Sequence, residues 1–561
     1  MKNKIFQFLA IGCLLFTSCS KDFIVKDNDK SRYTPEGFYT TKDHAVQALN
    51  AAYSGLNQWG NGYTWFLGIM HFELGDDLYQ TGFAAGFSPW GQIDNFDITN
   101  TIGGVSDCWN GYYADILLIN NAIEVMPGAQ EAADDPSFTK EVLDNYMGQA
   151  YFLRAFMFYN LAQYYGDDKV IIRRNVPKTE ADFSKAPAPA DSVFAFVESD
   201  LKKAEDLLTA GLNTTPGYEK GRATRGAAAA LLGKWYINHG EYALAAAEFK
   251  KILPEIGDAA YGTYRLMPNF RDNFTRLTEN NDESVFEIQF TDLNQGAGWA
   301  NNDVNWLFQN FTLNRTSWNI MWWNFAVPHF KLVNPASPND PSQFESWTEN
   351  ISGTPTTVYD YRVYETFWGV PNGAHFTDQY GVEKDYIAQG WADETIIGQT
   401  GAYGIRKYAL DAAADAPPGL DPLWSDNNVR LIRLADVMLL YAECLANTGD
   451  NTGALYWIDK VRDRANNVAN DQSTLYSARP GMPGQLPTAS ALMAAKGWTI
   501  MQLIQHERYC EGYCEGWRKE DMKRWKVGAD FVKYKFGWKG YQSLTLPVPQ
   551  TELDNNPAYT Q

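Results

Sequence analysis

Leu232-Gly233-x-x-Tyr236-x-x-x-Gly240-x-Tyr242-x-x-Ala245-x-x-x-Phe249-x-x-Ile252 is the stretch that decides the fold. Leu232, Gly233 and Tyr236 repeat at helical spacing, as do Ala245, Phe249 and Ile252, so two helices flank a reversal at Gly240. Small residues let the two helices approach closely in antiparallel fashion. Gly240 is expected to serve both the tight turn and that close approach. The same offsets return at Ala442, Gly449, Ala454, Ile458 and Val461. One Ala-rich hairpin is common; two in register indicate a repeated unit.

The spacing resembles a tetratricopeptide unit, whose arrays present grooves to partners and carry no chemistry of their own. Helical periodicity also marks Asp43 to Leu56, Asp107 to Met126, Glu141 to Tyr165, Ala190 to Leu208, Thr224 to His239 and Tyr242 to Ile256. It returns in Val429 to Asn447, Gly453 to Ala465 and Gly497 to Trp525. Between Asp292 and Trp424 it fades into a Trp-, Asn-, Gly- and Pro-rich region of loops and short strands. The expected fold is mainly α: a tetratricopeptide-like helical hairpin scaffold with a large loop-rich, Trp-rich insertion. The expected divisions are 41–290 for the N-terminal scaffold, 291–424 for the inserted ligand-binding region and 425–561 for a C-terminal scaffold packing on the first.

At the N-terminus, Lys2 and Lys4 precede an apolar run, Ile5 to Phe16, that ends in Phe16-Thr17-Ser18-Cys19. Basic residues, a short apolar core and small residues before a cut are the marks of an export peptide, too short to span a bilayer as a lasting helix. The run resembles a bacterial lipobox, with Cys19 as the lipidated first residue of the mature chain and 19–40 as its tether. Loss of residues 1–18 moves the formal charge from -20 to -22. Such a chain excludes nucleic acid and anionic membrane surfaces as partners, since their phosphates would repel it. Beyond Cys19 the mature chain holds Cys108, Cys444, Cys510 and Cys514, too few for a disulfide scaffold. Cys510 and Cys514 read as buried free thiols four apart on one helix.

Motifs for chemistry are missing. The sequence contains no His-Glu-x-x-His, no phosphate-binding loop, no Gly-x-Ser-x-Gly and no Cys-x-x-Cys. Its six histidines are isolated in sequence. Glu511, Glu515, Arg518 and Asp521 fall three or four apart and are expected to form a charge ladder along one helix face that fixes packing register. No enzyme, cofactor or metal is expected.

Eight of the nineteen tryptophans, Trp299, Trp306, Trp318, Trp322, Trp323, Trp347, Trp368 and Trp391, fall within 93 residues that lack helical periodicity. Core packing explains that enrichment poorly, although any single large aromatic is more often buried. Sugars present flat C–H faces to rings and hydroxyl rims to Asp, Asn, Gln and Arg. Trp318-Asn319-x-x-Trp322-Trp323-Asn324 and Asn301-Asn302-Asp303-x-Asn305-Trp306 offer that mixture.

Ordered motifs run along nearly the whole chain: Tyr39-Thr40-Thr41-Lys42-Asp43, Trp109-x-x-Tyr112, Asn120-x-x-Ile123, Phe152-Leu153-Arg154-Ala155 and Gly221-Arg222-Ala223-Thr224. Further on stand Glu283-Ser284-Val285-Phe286-Glu287, Arg433-x-Ala435-Asp436, Glu507-Arg508, Arg524-Trp525 and Pro547-Val548-Pro549-Gln550-x-Glu552. Together they resemble the SusD/RagB family of outer-membrane nutrient-binding lipoproteins of the Bacteroidetes. That resemblance implies a surface-exposed, lipid-anchored protein of the outer membrane that captures oligosaccharide or polysaccharide without breaking bonds. It also implies an obligate partner, a TonB-dependent transporter of the SusC type, over which the protein acts as a lid. Family members use a loop near the N-terminal helices, which here would be Trp59 to Trp90. The ligand-binding set is thus expected to comprise Trp65, Asp76, Asp77, Trp90, Trp299, Trp306, Trp318, Trp322, Trp323 and Trp368. Capture of peptide, a secreted glycoside hydrolase and a purely structural adaptor are the alternatives.

Overall fold

The computed structural model describes residues 35–56, 78–79, 92, 98–215, 218–290, 327–328, 339–341, 343–351, 353–368, 376–377, 383–384, 404–405, 407–408, 427–466, 486–527 and 544–559. The export peptide and Cys19 lie outside them. In chain order the helices are α1 (Lys42–Ser54), α2 (Gly103–Ala132), α3 (Lys140–Tyr165), α4 (Ala190–Leu207), α5 (Arg225–Asn238), α6 (Tyr242–Lys250) and α7 (Tyr361–Thr366). After them come α8 (Leu434–Asn447), α9 (Asn451–Ala465), α10 (Ala489–Lys496), α11 (Ile500–Gly512) and α12 (Trp517–Trp525), and Pro35–Phe38 and Gln550–Asn555 form two further short helices. The strands are β1 (Leu78–Tyr79), β2 (Ser284–Ile288), β3 (Val327–Pro328), β4 (Ser346–Ile351), β5 (Thr354–Tyr359), β6 (Phe367–Trp368), β7 (Phe376–Thr377), β8 (Glu383–Lys384), β9 (Gly404–Ile405) and β10 (Val429–Arg433).

Helices α1 to α6 pack each on the next. The row then continues in space across a break in sequence, because α8 packs on α6 and α9 on α8. What leaves the row between them is tied at its base. Strands β2 and β10 pair antiparallel, with Val429 opposite Ile288 and Arg430 opposite Glu287, so the two ends of the inserted region stand side by side. Buried polar groups hold this stem. Glu287 accepts from the Asn280 backbone N–H and the Asn428 side chain, and Arg430 donates to the carbonyls of Asn428 and Thr275.

The tetratricopeptide-like reading holds at atomic detail. In the first hairpin Gly240 N–H donates to the Ile237 carbonyl and Glu241 N–H to that of Tyr236; in the second, Gly449 donates to Ala446 and Asp450 to Leu445, at the same offsets. This doubled closure satisfies the last carbonyls of each helix and needs a left-handed residue, and Gly240 and Gly449 have φ of 81° and 95°. Close approach, however, belongs to a different glycine. A Cβ at Gly240 would meet nothing within 4 Å, whereas one at Gly233 would lie 2.5 Å from the Phe249 ring. Gly240 supplies backbone sign and Gly233 supplies proximity.

Four helical ranges differ from the periodicity reading. Val429 to Arg433 is strand, because its apolar residues pack at the stem and the helix begins only at Leu434. Helix α6 stops at Lys250, ahead of Pro254, and Glu255 takes a positive φ of 70°. Helix α2 extends well beyond its predicted ends and carries Pro127 within its last turns. The long C-terminal helix is two helices. Cys514 and Gly516 adopt φ of 60° and 78°, and the Trp517 ring lies so close over Gly512 that a Cβ there would be 2.0 Å away.

The chain's end returns to its beginning. Lys519 and Lys523 donate to the Gln163 and Ala162 carbonyls at the C-terminus of α3, where burial pulls both amines below the usual lysine range. Leu546 N–H donates to the Tyr164 carbonyl, the Trp109 indole N–H to Glu552 and the Tyr559 hydroxyl to the Lys169 carbonyl. Several of the ordered sequence motifs are therefore structural. Arg154 forms a bidentate pair with buried Asp200 at 2.7 and 3.0 Å and also donates to Asn120 Oδ1.

Candidate functional site

Strand β1 pairs antiparallel with β3, placing Leu78 opposite Pro328 and Tyr79 opposite Val327. The first pair of residues follows Asp76 and Asp77 in sequence; the second follows Trp322 and Trp323 after three residues. Strand β3 also lies beside β9, and β9 pairs with β6 so that Gly404 is opposite Trp368. Segments far apart in sequence thus converge: the stretch after α1 and three separate parts of the inserted region.

Ion pairs bolt the inserted region to the C-terminal helices. Its one described helix, α7, begins at Asp360, whose carboxylate caps the Arg362 N–H and holds the Arg362 guanidinium at 2.7 Å. Arg362 is fully buried and reaches across to Glu507 at 2.6 Å and Glu511 at 3.2 Å on α11. Lys407, equally buried, pairs with Glu515 at 2.5 Å and donates to the carbonyls of Glu511 and Tyr513. Glu345, just ahead of β4, takes Arg462 at 2.8 Å and His506 at 3.3 Å. Arg433 joins Glu283, Glu511 and Glu515, and Arg464 joins Glu283 and Glu511.

Buried charges persist only when matched in this way. Burial alone would raise the Glu511 carboxyl, but Arg464, Arg433, Arg362 and Lys407 overcome it and hold the group at about 2. The same contest sets Glu345 at about 2, with His506 and Arg462 prevailing over burial. For Lys407 burial wins, and its ammonium is pulled below the usual lysine range. The expected charge ladder is corrected here: Glu511 and Glu515 find their cations on β10, α9 and the inserted region, and Asp521 finds Arg508 and Arg524. The break after α11 removes the shared helix face. Arg362 and Lys407 escaped notice in sequence. The run Val358-Tyr359-Asp360-Tyr361-Arg362-Val363-Tyr364 carried the signal, a charge pair enclosed by apolar and aromatic residues.

Trp65, Asp76, Asp77, Trp90, Trp299, Trp306, Trp318, Trp322 and Trp323 lie outside the described residues, as does the side chain of Trp368, whose backbone forms β6. Trp347 is half-buried on the β4–β5 hairpin, opposite Val358. Of the described tryptophans in the helical parts, Trp109, Trp235, Trp457, Trp498 and Trp517 are buried, and Trp525 is half-buried with its indole N–H donating to Glu443. Cys108, Cys444, Cys510 and Cys514 are all buried and none is in a disulfide, with Cys510 Sγ against the His506 ring. Burial raises the thiols of Cys108, Cys444 and Cys510, which makes them inert. Among the described residues no group of three His, Cys, Asp or Glu side chains is placed to hold a metal ion.

Comparison with known proteins agrees with this architecture. A sequence model of the SusD family matches residues 282–561, and one described as starch-binding associating with outer membrane matches residues 42–237. SusD-like protein P2 of Formosa agariphila is 24% identical, with all of both chains covered. A SusD superfamily protein from Bacteroides vulgatus superposes with a TM-score of 0.67 at 22% identity, covering 93% of this chain and 98% of its own. Surface glycan-binding protein A from Bacteroides thetaiotaomicron, in complex with laminarihexaose, superposes with a TM-score of 0.59 at 19% identity, covering 92% and 98%. At these identities the structural likeness establishes a shared fold, and the two sequence models, which between them span both helical blocks, establish descent: the chain belongs to the SusD/RagB family.

Proposed function

We propose that the protein is a lipid-anchored glycan-binding protein of the outer-membrane surface that captures oligosaccharide or polysaccharide and delivers it to a TonB-dependent transporter. It binds without catalysing a reaction. The pairing of Leu78 and Tyr79 with Val327 and Pro328 carries this reading, because it ties the Trp59–Trp90 stretch to the Trp-rich inserted region. Two aromatic-rich segments distant in sequence then serve one surface, as a ligand of several sugar units needs. The laminarihexaose complex of a protein with this fold supports a glycan as the ligand. The ion pairs under α7 favour a preformed site, which lowers the ordering cost of binding.

Alanine replacement of Trp65, Trp90, Trp299, Trp306, Trp318, Trp322 and Trp323, one at a time, tests the reading. Removing a stacked ring should forfeit about 1–3 kcal/mol, judged from bases stacked on aromatic side chains, or about ten- to hundredfold in affinity. At least two variants should melt as the parent does and bind glycan more weakly by calorimetry. If every variant either melts early or binds normally, these rings are core and the proposed surface is wrong.

A further inference from the structure

We propose that the face formed by α2 and the segment 169–185 rests on the headgroup phosphates of the membrane that anchors the chain, an inference that takes the lipid anchor from the reading above. In a chain of formal charge -20, Lys169-Val170-Ile171-Ile172-Arg173-Arg174-Asn175-Val176-Pro177-Lys178 holds four cations and no acid, and Lys185 follows. The run tracks along α2. The Tyr113 hydroxyl bonds both the N–H and the carbonyl of Ile171, Asn120 donates to the Arg173 carbonyl, and Val176 N–H donates to Glu124. Val170 and Ile171 are buried by this packing, whereas Arg174, Lys178 and Lys185 are exposed. Among the described residues none of those three cations enters an ion pair.

Arg173 has a different task. Half-buried over the Tyr113 ring, it donates to the carbonyls of Asp182 and Phe183 and so fixes the Phe183 turn against the segment. The Phe183 side chain stands out from that turn, 59% exposed, and Leu117, one helical turn after Tyr113 on α2, is 42% exposed. The acids nearby are committed to the backbone: Glu124 accepts from Val176 N–H, and Asp182 from the N–H groups of Lys178 and Thr179. With Glu180 and Asp182 as the acids of residues 169–185 against five cations, the balance there is positive.

Exposed apolar side chains among unpaired cations match a headgroup layer, where phosphates meet the cations and rings enter the acyl boundary. The net charge opposes such a surface for the chain as a whole, but charges farther than about 8 Å from the contact are largely screened at physiological salt, so the local set decides. The tether brings this face to the membrane. Asn121, adjacent to the Asn120 that holds Arg173, donates to the Tyr39 hydroxyl, so the chain enters the fold beside the basic segment. Pro35 stands sixteen residues after Cys19, a reach of at most about 55 Å. On so short a leash even weak headgroup contacts act within one molecule and add to the anchor.

Co-sedimentation of the mature chain carrying Cys19→Ala, which reads the face apart from the anchor, decides the matter with vesicles of phosphatidylcholine alone and of phosphatidylcholine mixed with phosphatidylglycerol. Binding to the mixed vesicles alone, weakened by salt, is expected. Arg174→Glu with Lys178→Glu should weaken it by about 25-fold or more, since each cation near an anionic leaflet is worth about fivefold. Lys250→Glu with Lys496→Glu, on α6 and α10, makes the same change in net charge elsewhere and should bind as the parent does; all variants are checked for unchanged melting. Equal weakening by the two pairs, equal binding to both kinds of vesicle, or no binding to either overturns the inference. Release by inorganic phosphate at matched ionic strength overturns it too, because the phosphate would then occupy a single site. Failure of the anchor itself is read separately, by fatty-acid labelling of the parent chain, and would remove the lipid reading while the vesicle result stands.

Discussion

Arg433 grips Glu515 with two arms, Nε donating to one carboxylate oxygen at 2.6 Å and Nη2 to the other at 2.7 Å. Arg433 ends the stem strand β10 and Glu515 lies in the turn between α11 and α12, so one ion pair joins the root of the inserted region to the C-terminal helices. Its remaining nitrogen reaches Glu283 at 2.5 Å and Glu511 at 3.1 Å.

Replacing Arg433 with Met should therefore take a shared cation from three buried carboxylates, leaving Glu515 to Lys407, Glu283 to Arg464 and Glu511 to Arg362 and Arg464, and cost about 3–5 kcal/mol. Lysine should rescue little, because a single ammonium cannot reproduce a fork shared among Glu515, Glu511 and Glu283. Chemical denaturation of both variants measures this. A Met variant within about 1 kcal/mol of the parent would show that the network is not needed for stability.

Two kinds of buried acid predict opposite pH responses. Glu345 and Glu511 have carboxyls held at about 2 in the folded protein, against 4.5 ordinarily, so their stabilisation is complete above the ordinary value and disappears as pH falls toward 2. Asp115 behaves in the opposite sense. It is buried on α2, neither oxygen has a hydrogen-bond partner among the described residues, and it lies so close to Gly55 that a Cβ there would be 2.3 Å from Oδ1. Burial raises its carboxyl well above the ordinary 3.8, so folding is favoured below that value and penalised as pH rises through the folded value. Asp115→Asn should accordingly melt like the parent at pH 4 and higher than it at pH 7. A melting difference that is the same at both would refute the assignment.

The two glycines of the first hairpin should fail differently. Gly233→Val drives a branched side chain into the Phe249 ring and should cost about 1–3 kcal/mol or more. Gly240→Ala has open space around it and should cost about 1 kcal/mol through its positive φ alone, with Asn closer to the parent than Ala. Equal losses for the two alanine-tolerant substitutions at Gly240, Ala and Asn, would show that φ is not the cause.

Lipid anchoring is tested apart from the fold. Cys19→Ala should leave a folded protein that is no longer retained in the outer membrane, and metabolic labelling with a fatty acid should label the parent alone. Label on the variant would place the anchor elsewhere.

The helical hairpins were legible in sequence because their determinants are local. Leu232 to Ile252 and Ala442 to Val461 place small and large residues at the separations a helix, a left-handed turn and a second helix require, and their hydrogen bonds close within five residues. The same locality misled at Val429 to Arg433, whose residues satisfy a helical pattern but pair with Ile288 to Ser284, and at Cys514 and Gly516, where the turn serves distant cations. Only tertiary structure decided which charges meet. Arg362 finds Glu507 and Glu511 some 145 and 149 residues away, and Leu78 finds Pro328 across an even longer separation. Ion pairs and strand pairs carry no period, so nothing in the order of residues along the chain names their partners; the burial that makes each pairing compulsory exists only once the helical row has brought the two ends of the inserted region together.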